Sequence, residues 1–114
     1  MKDAIKKIDE ATGKDRPFYY MINCSHMIHF DHIFDDVEGQ SYIKRIGALK
    51  PNGSKKSQAE LNNSNTLDTG DHEEFGQLLA ALKKKAGPQV NYLSGCCGTD
   101  IRHFKETIKH LKKM

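Results

Sequence analysis

Three cysteines are the residues of this sequence whose type and spacing suggest chemistry. Cys24 follows a short apolar run, and Cys96 and Cys97 stand side by side between Gly95 and Gly98. Three cysteines cannot all pair within one chain, and adjacent cysteines form only a strained disulfide. A lone cysteine is typical of a small buried hydrophobe, but a Gly-Cys-Cys-Gly turn is difficult to explain by packing. We therefore predict a metal site or a reactive thiol.

The two glycines explain how neighbouring cysteines can face the same object. Consecutive side chains of an extended strand point to opposite faces. Cys96 and Cys97 can therefore reach one ion only where the backbone turns, and Gly95 and Gly98 relax the steric limits on such a turn. A helix that begins directly after the turn adds a positive dipole end, which favours thiolate over thiol.

The elements around the cysteines alternate between helices and strands. Asp3 is the predicted cap of a helix that ends near Thr12, and Asp71 with Glu74 resembles the capping box of a later one. A helical pattern from Ser25 to Gly39 and a short helix near 41–46 lie between them. The predicted strands are PFYYMIN (17–23), IGALKPN (46–52) and QVNYLSG (89–95). The predicted buried stripe of the last helix consists of Ile101, Phe104, Ile108 and Leu111.

This alternation indicates a parallel sheet with right-handed crossovers, in which ligands bind beyond the carboxyl ends of the strands. Cys24 ends the first strand and the Cys96–Cys97 doublet ends the last, so we expect them at the same edge. Three thiolates there match a zinc site with three protein ligands and one open position. A vicinal Cys96–Cys97 redox switch is the competing functional interpretation.

The histidines are less informative than the cysteines. His26 is the only histidine near enough to Cys24 in sequence to be considered as a fourth ligand, and we assign it instead to a polar loop or the surface. The other assignments are to helix ends and the surface, for His72, His103 and His110.

The composition limits the class of protein. The 114 residues suffice for one small domain, and 37% hydrophobic with 29% charged residues is typical of a soluble globular chain. No apolar run approaches the roughly 20 residues that span a bilayer. Since the N-terminus lacks a secretory signal pattern, we expect a cytoplasmic protein with no membrane partner. The net charge of +3 does not indicate nucleic-acid binding, because many lysines lie at the ends of two predicted helices.

The segments FYYMINCSH and LSGCCGTDIRHF together resemble the C-terminal part of the homocysteine S-methyltransferase family. That family has Asn-Cys at the end of one strand and Gly-Gly-Cys-Cys-Gly at the end of the last, and Ser94 replaces the first of these glycines here. The resemblance implies an α/β fold, a partial (β/α)8 TIM barrel with about three parallel strands, strands six to eight. Residues 1–114 are then a single partial homocysteine-binding domain with a polar top-face loop at 52–70.

The resemblance also implies a function. Cys24, Cys96 and Cys97 would hold zinc, and homocysteine would bind it through sulfur. A methyl group would pass to that sulfur from an onium donor such as S-methylmethionine or S-adenosylmethionine, giving methionine. A complete barrel needs about 250 residues. We therefore expect a fragment that is inactive alone and whose partner would be the missing N-terminal part of the barrel. The alternatives are a non-catalytic zinc-thiolate protein and the vicinal-dithiol switch.

Overall fold

Three parallel strands form one sheet in the part of the chain that the structure describes. The computed structural model describes residues 2–15, 17–35, 40–57, 60, 63 and 68–113. Within these ranges the sheet has the order β1-β2-β3, with β1 at Tyr20–Asn23, β2 at Ile46–Lys50 and β3 at Tyr92–Leu93. The helices are α1 (Lys2–Thr12), α2 (Gln40–Ile43), α3 (His72–Ala86) and α4 (Ile101–Lys112). Short 3₁₀ turns occupy Gly13–Asp15, Met27–His29 and Asp31–Asp35. The predicted α/β class with three parallel strands is confirmed, and it is compatible with part of a barrel.

The central strand β2 lies in the core. Ile46, Ala48 and Leu49 are fully buried, as expected for a β-branched and aliphatic strand covered on both faces. Helix α3 packs its Phe75 and Leu79 into the same core. The proline that follows β2 lies beyond the last ladder position and so removes no bond between strands.

Helix α3 begins and ends as its sequence predicts. The Asp71 carboxylate accepts hydrogen bonds from the backbone N–H groups of Glu73 and Glu74, at 3.0 and 3.1 Å. At the other end Gly87 has a positive φ of 111°, after three lysines in the last turn. Among the described residues no helix is long and apolar enough to cross a membrane.

Several predicted details of the first half are wrong. The apolar run PFYYMIN (17–23) predicts a buried strand, but β1 begins only at Tyr20 and is an edge strand of the described sheet. Met21 is 43% exposed, and Phe18, two residues ahead of β1, is 91% exposed. Asp3 lies inside the first turn of α1 and is not its cap. The pattern expected to form one helix forms two 3₁₀ turns, and its predicted end at Gly39 lies outside the described residues. Eight of the nineteen residues of the predicted loop 52–70 also lie outside them.

The predicted buried stripe of α4 is wrong as well. Ile101 and Ile108 are 64% and 51% exposed, while the buried side chains of α4 belong to His103 and Thr107. The reason is the contact with α3. An added Cβ on Gly76 of α3 would lie 2.5 Å from the backbone of α4 at Glu106, so the two helices meet without an intervening side chain. The apolar stripe occupies a neighbouring face of α4 that the described residues leave largely uncovered.

The α3–α4 contact makes a prediction about Gly76. In an open helix interior, Gly→Ala stabilises by about 1 kcal/mol through helix propensity. We expect the opposite sign for Gly76→Ala, because the helices must separate, and overpacking of this kind destabilises by about 1–3 kcal/mol. Chemical denaturation followed by circular dichroism measures the change. Gln77→Ala at the next, exposed position is the control, and equal stability of both variants would contradict the close contact.

Candidate functional site

Cys24 lies where the chain leaves β1. Its backbone N–H donates to the carbonyl oxygen of Lys50 at 3.1 Å, which extends the β1–β2 pairing one residue past the strand. The φ of Cys24 is +57°, a left-handed conformation that is uncommon for residues other than glycine. Such backbone strain is often found at functional sites. The sequence pattern alone contained no signal for this turn.

The cysteine doublet is held by the same central segment. The N–H of Ser94 donates to Leu49 O and that of Cys96 to Pro51 O, both at 2.9 Å. In return, the N–H of Gly53 donates to Cys97 O at 3.0 Å. The chain after β3 therefore runs alongside the chain after β2, as Cys24 does on the other side. This is why residues 72 positions apart meet at one edge of the sheet.

The sulfur atoms of Cys24 and Cys96 are 2.6 Å apart. This contact shifts the pKa values of the two thiols in opposite directions. The hydrogen bond with Cys24 lowers the pKa of Cys96, to which the backbone and side chain of Cys97 add. The same hydrogen bond raises the pKa of Cys24, and the charge of Cys97 raises it further. The contact therefore favours ionisation of Cys96 over ionisation of Cys24. The neighbouring thiols, rather than the helix dipole named in the sequence argument, are the leading cause.

The two glycines support the turn in different ways. Gly98 has a φ of +81°, which glycine adopts at little cost, and its Cα faces the carbonyl oxygen of Asp68. At Gly95 the limitation is space, because an added Cβ would lie 2.6 Å from the Cβ of Thr99. Thr99 itself donates to Cys96 O through both its N–H and its hydroxyl group, at 3.2 and 2.7 Å. The turn is thus closely packed on both sides.

The donor set fits zinc in its chemistry, although the side chains do not yet have ligand geometry. Within the described part of the chain, no group of three or more His, Cys, Asp or Glu side chains is arranged to hold a metal. Two sulfurs bound tetrahedrally at about 2.3 Å each lie about 3.8 Å apart, so Cys24 and Cys96 must separate by about 1 Å. Cys24 is exposed and Cys96 half-buried, which leaves them room to do so.

A second feature of the edge also fits a bound cation or hydrogen-bond donor. Asn52 is 1% exposed, and its side-chain oxygen has no hydrogen-bond partner. A buried polar atom without a partner is unusual and often marks a binding site. Asn52 and Cys24 line the same cavity of about 160 Å³. Asn52 is not among the residues predicted for the site; its position directly after Pro51, which follows the central strand, was the available signal.

Beside the doublet, the described ends of the polar segment 52–70 are tied together. The hydroxyl group of Ser54 donates to the Asp68 carboxylate at 2.9 Å, and the N–H of Gly70 donates to the same side chain at 2.9 Å. Lys56 adds an ion pair to Asp68 at 3.4 Å. These bonds lower the pKa of Asp68, chiefly through the N–H of Gly70. The two ends therefore form one layer next to the cysteine turn.

Two histidines differ from their predicted surroundings. His26, assigned to a loop or the surface, is 2% exposed, and burial lowers its pKa to about 4. Its Nδ1 accepts the N–H of Ile28 at 3.2 Å, and its ring meets Phe75 edge to face. His103, also assigned to the surface, is fully buried. His26 does lie in a loop and His103 at the start of α4. The surface location assigned to both is wrong, because each ring is buried and has a hydrogen-bond partner inside the protein.

Comparison with known proteins gives one match. A sequence model of the homocysteine S-methyltransferase family matches residues 1–111. No curated protein and no solved structure matches the chain. The match includes all three cysteines and both cysteine-bearing turns.

Proposed function

We propose, since this chain belongs to the homocysteine S-methyltransferase family, that it carries the metal-binding part of an enzyme that makes methionine from homocysteine. The family suggests methyl transfer as the reaction class. The observation that supports the finer proposal is the contact of Cys24 with Cys96 at the edge where Cys97 also lies. A metal ion that is bound by residues from two distant strand ends requires their thiols to lie close together, as Cys24 and Cys96 do.

Cys24, Cys96 and Cys97 are the proposed zinc ligands. Zinc at this position would bind the homocysteine sulfur and keep it as a nucleophilic thiolate facing the methyl group of an onium donor, such as S-methylmethionine or S-adenosylmethionine. The residues of this chain would orient the cysteine side chains and stabilise the negative charge of the thiolates. The Cys24 thiol stabilises the Cys96 thiolate by hydrogen bonding and so lowers the pKa of Cys96, and the charge of Lys50 acts on Cys96 in the same direction. The packed turn fixes the direction of the doublet, which is what methyl transfer in line requires.

The remaining strands of a barrel are the proposed partner of this part. Both outer strands, β1 and β3, have an unpaired edge within the described sheet. Apolar side chains of β1 and α4 are exposed, among them Met21, Ile101 and Ile108. Further β/α units would pair with these edges and cover these side chains. We assign the binding of the amino-acid end of homocysteine to those units, and the whole to the cytoplasm, where thiols stay reduced.

The redox alternative is less well supported in its vicinal form. A vicinal switch needs Cys96 to pair with Cys97 alone, whereas Cys96 also contacts Cys24, through sulfur atoms 2.6 Å apart. A storage protein would normally close its zinc site with four protein ligands. The two alternatives differ from the proposed function in whether homocysteine becomes a ligand of the bound metal ion.

Cobalt in place of zinc reports the number of sulfur ligands. We expect homocysteine to increase the near-ultraviolet sulfur-to-cobalt absorption of the reduced chain by about one third, because four thiolates replace three around a tetrahedral ion. Homoserine, which has a hydroxyl group in place of the thiol, is the matched control and should leave the spectrum unchanged.

The other outcomes identify the alternatives. A cobalt spectrum that does not respond to homocysteine would favour the zinc-storage hypothesis. Poor metal retention together with reversible oxidation of the thiols would favour the redox switch. Either result would contradict the proposed function.

A further inference from the structure

His103 lies in the first turn of α4, and both nitrogens of its ring have hydrogen-bond partners. The backbone N–H of Asp100 donates to Nδ1 at 3.0 Å, and Nε2 lies 2.7 Å from the carbonyl oxygen of Thr69. A carbonyl oxygen can only accept and a backbone N–H can only donate. The Nε2 hydrogen therefore faces the carbonyl oxygen of Thr69, and Nδ1 accepts the N–H of Asp100. The Asp100 carboxylate also lies 3.4 Å from Nδ1.

The ring is also fixed by its surroundings. Phe75 of α3 meets it edge to face, with the ring centroids 5.0 Å apart and the planes at 88°. The side chain of His103 is fully buried. A buried polar ring that satisfies both nitrogens is rigid, and losing either bond leaves a buried group without a partner.

The two bonds of His103 join the two layers that hold the cysteine doublet. Asp100 caps α4 directly after the turn that contains Cys96 and Cys97. Thr69 belongs to the segment 68–70, whose backbone packs against Gly53 and Gly98: an added Cβ on Gly53 would lie 2.7 Å from Thr69 O and 2.8 Å from Gly98 O. Gly53 in turn holds Cys97 O. The imidazole of His103 therefore connects the start of α4 with the segment 68–70, and Gly53 connects that segment with Cys97. Together these contacts surround the turn that carries the two cysteines.

We propose that His103 is a positioning residue for the candidate metal centre, which clamps the start of α4 to the segment 68–70 and so holds Cys96 and Cys97 toward Cys24. The inference rests on the proposed zinc site, but it concerns the placement of the thiols and not methyl transfer. A residue that only stabilised the fold would affect unfolding alone. A positioning residue also affects the metal.

The test compares zinc affinity, measured by competition with a chromogenic chelator, in the reduced 114-residue chain. His103→Asn keeps a carbonyl group for the N–H of Asp100 but is too short to reach Thr69. We expect it to weaken zinc binding about 10–100-fold, as other supporting residues of metal sites do, and to alter the cobalt spectrum. His103→Gln has the reach to donate to Thr69 O and should recover part of the affinity.

Thr107→Val is the matched stability control. Thr107 is buried in the same helix and donates to His103 O at 2.8 Å, so its loss destabilises α4 without touching the clamp. We expect its zinc affinity to match that of the native sequence. Native affinity in His103→Asn, or an equal loss in Thr107→Val, would overturn the inference.

A metal-free measurement separates this inference from the proposed function. Dibromobimane becomes fluorescent when it bridges two nearby thiols, and in a Cys97→Ser background it can bridge only Cys24 and Cys96. His103→Asn should slow bridging relative to that background, and an unchanged rate would overturn the inference. If the native chain binds no zinc, the proposed zinc site fails and bridging alone decides the placement question. If His103→Asn does not fold, bridging is compared in His103→Leu, which fills the buried site but forms neither hydrogen bond, and an unchanged rate there overturns the inference.

Discussion

The chain joined to the first five β/α units of a full-length family member is expected to form methionine at least about 100-fold faster than the chain alone, because orientation of two reactants accounts for about 7–11 kcal/mol of a barrier. The described residues provide thiols at a sheet edge, but the sheet is open on both sides of that edge. A substrate held only through its sulfur can still rotate. Additional strands would bind its other end and exclude water.

The measurement is methionine formation from homocysteine, with S-methylmethionine and S-adenosylmethionine each tested as donor. The same joined protein with Cys24→Ser is the control, since it keeps the completed fold and loses one proposed ligand. Turnover by the isolated chain at the rate of the joined protein would contradict the proposed need for further strands. Turnover in the Cys24→Ser control would instead contradict the metal site.

The meeting of the cysteines could be predicted from the sequence because it depends on topology. Parallel strands end at the same edge, so a cysteine after β1 and a doublet after β3 are brought to that edge whatever the loops do. The central strand then supplies carbonyl oxygens to both neighbours, and the bonds of Cys24 and Cys96 to Lys50 and Pro51 follow. The left-handed φ of Cys24 could not be predicted, since no local residue pattern requires it.

Burial was harder to predict because it depends on which face a neighbour covers. The apolar stripe of α4 has the spacing of a buried face, but α3 contacts a different face of the helix. Gly76 of α3 determines which face of α4 is covered, because the absence of a side chain there lets the two helices approach closely. Exposed Ile101 and Ile108 are then consistent with the proposal that further β/α units complete the structure.

The two buried histidines show the same limitation for polar residues. Histidine is intermediate among residue types in how often it is buried. The residue type alone therefore does not predict whether a given histidine lies in the core or on the surface. His103 is buried because a carbonyl oxygen 34 residues earlier accepts its Nε2–H, and that partner belongs to a different loop. Pairings between distant loops are outside the range of helical and strand patterns.

Cys96→Ser is expected to have the largest effect of any single substitution on zinc binding. Cys96 contacts Cys24 through sulfur, and the backbone and side chain of Cys97 lower its pKa. Its loss removes a proposed ligand and also the thiol whose pKa the contact with Cys24 lowers. We expect zinc affinity to fall by more than about 100-fold, beyond the effect of a supporting residue, when measured by chelator competition under reducing conditions.

Ser94→Ala is the matched control, because Ser94 lies in the same turn and contributes its backbone N–H rather than its side chain to the bond with Leu49. Its zinc affinity should remain that of the native sequence. Cys24→Ser tests the long-range half of the argument: if the site is shared between strand ends, its loss must resemble that of Cys96→Ser. A Cys24→Ser variant that keeps native affinity would mean that the doublet binds zinc without the first strand, and the shared centre would have to be abandoned.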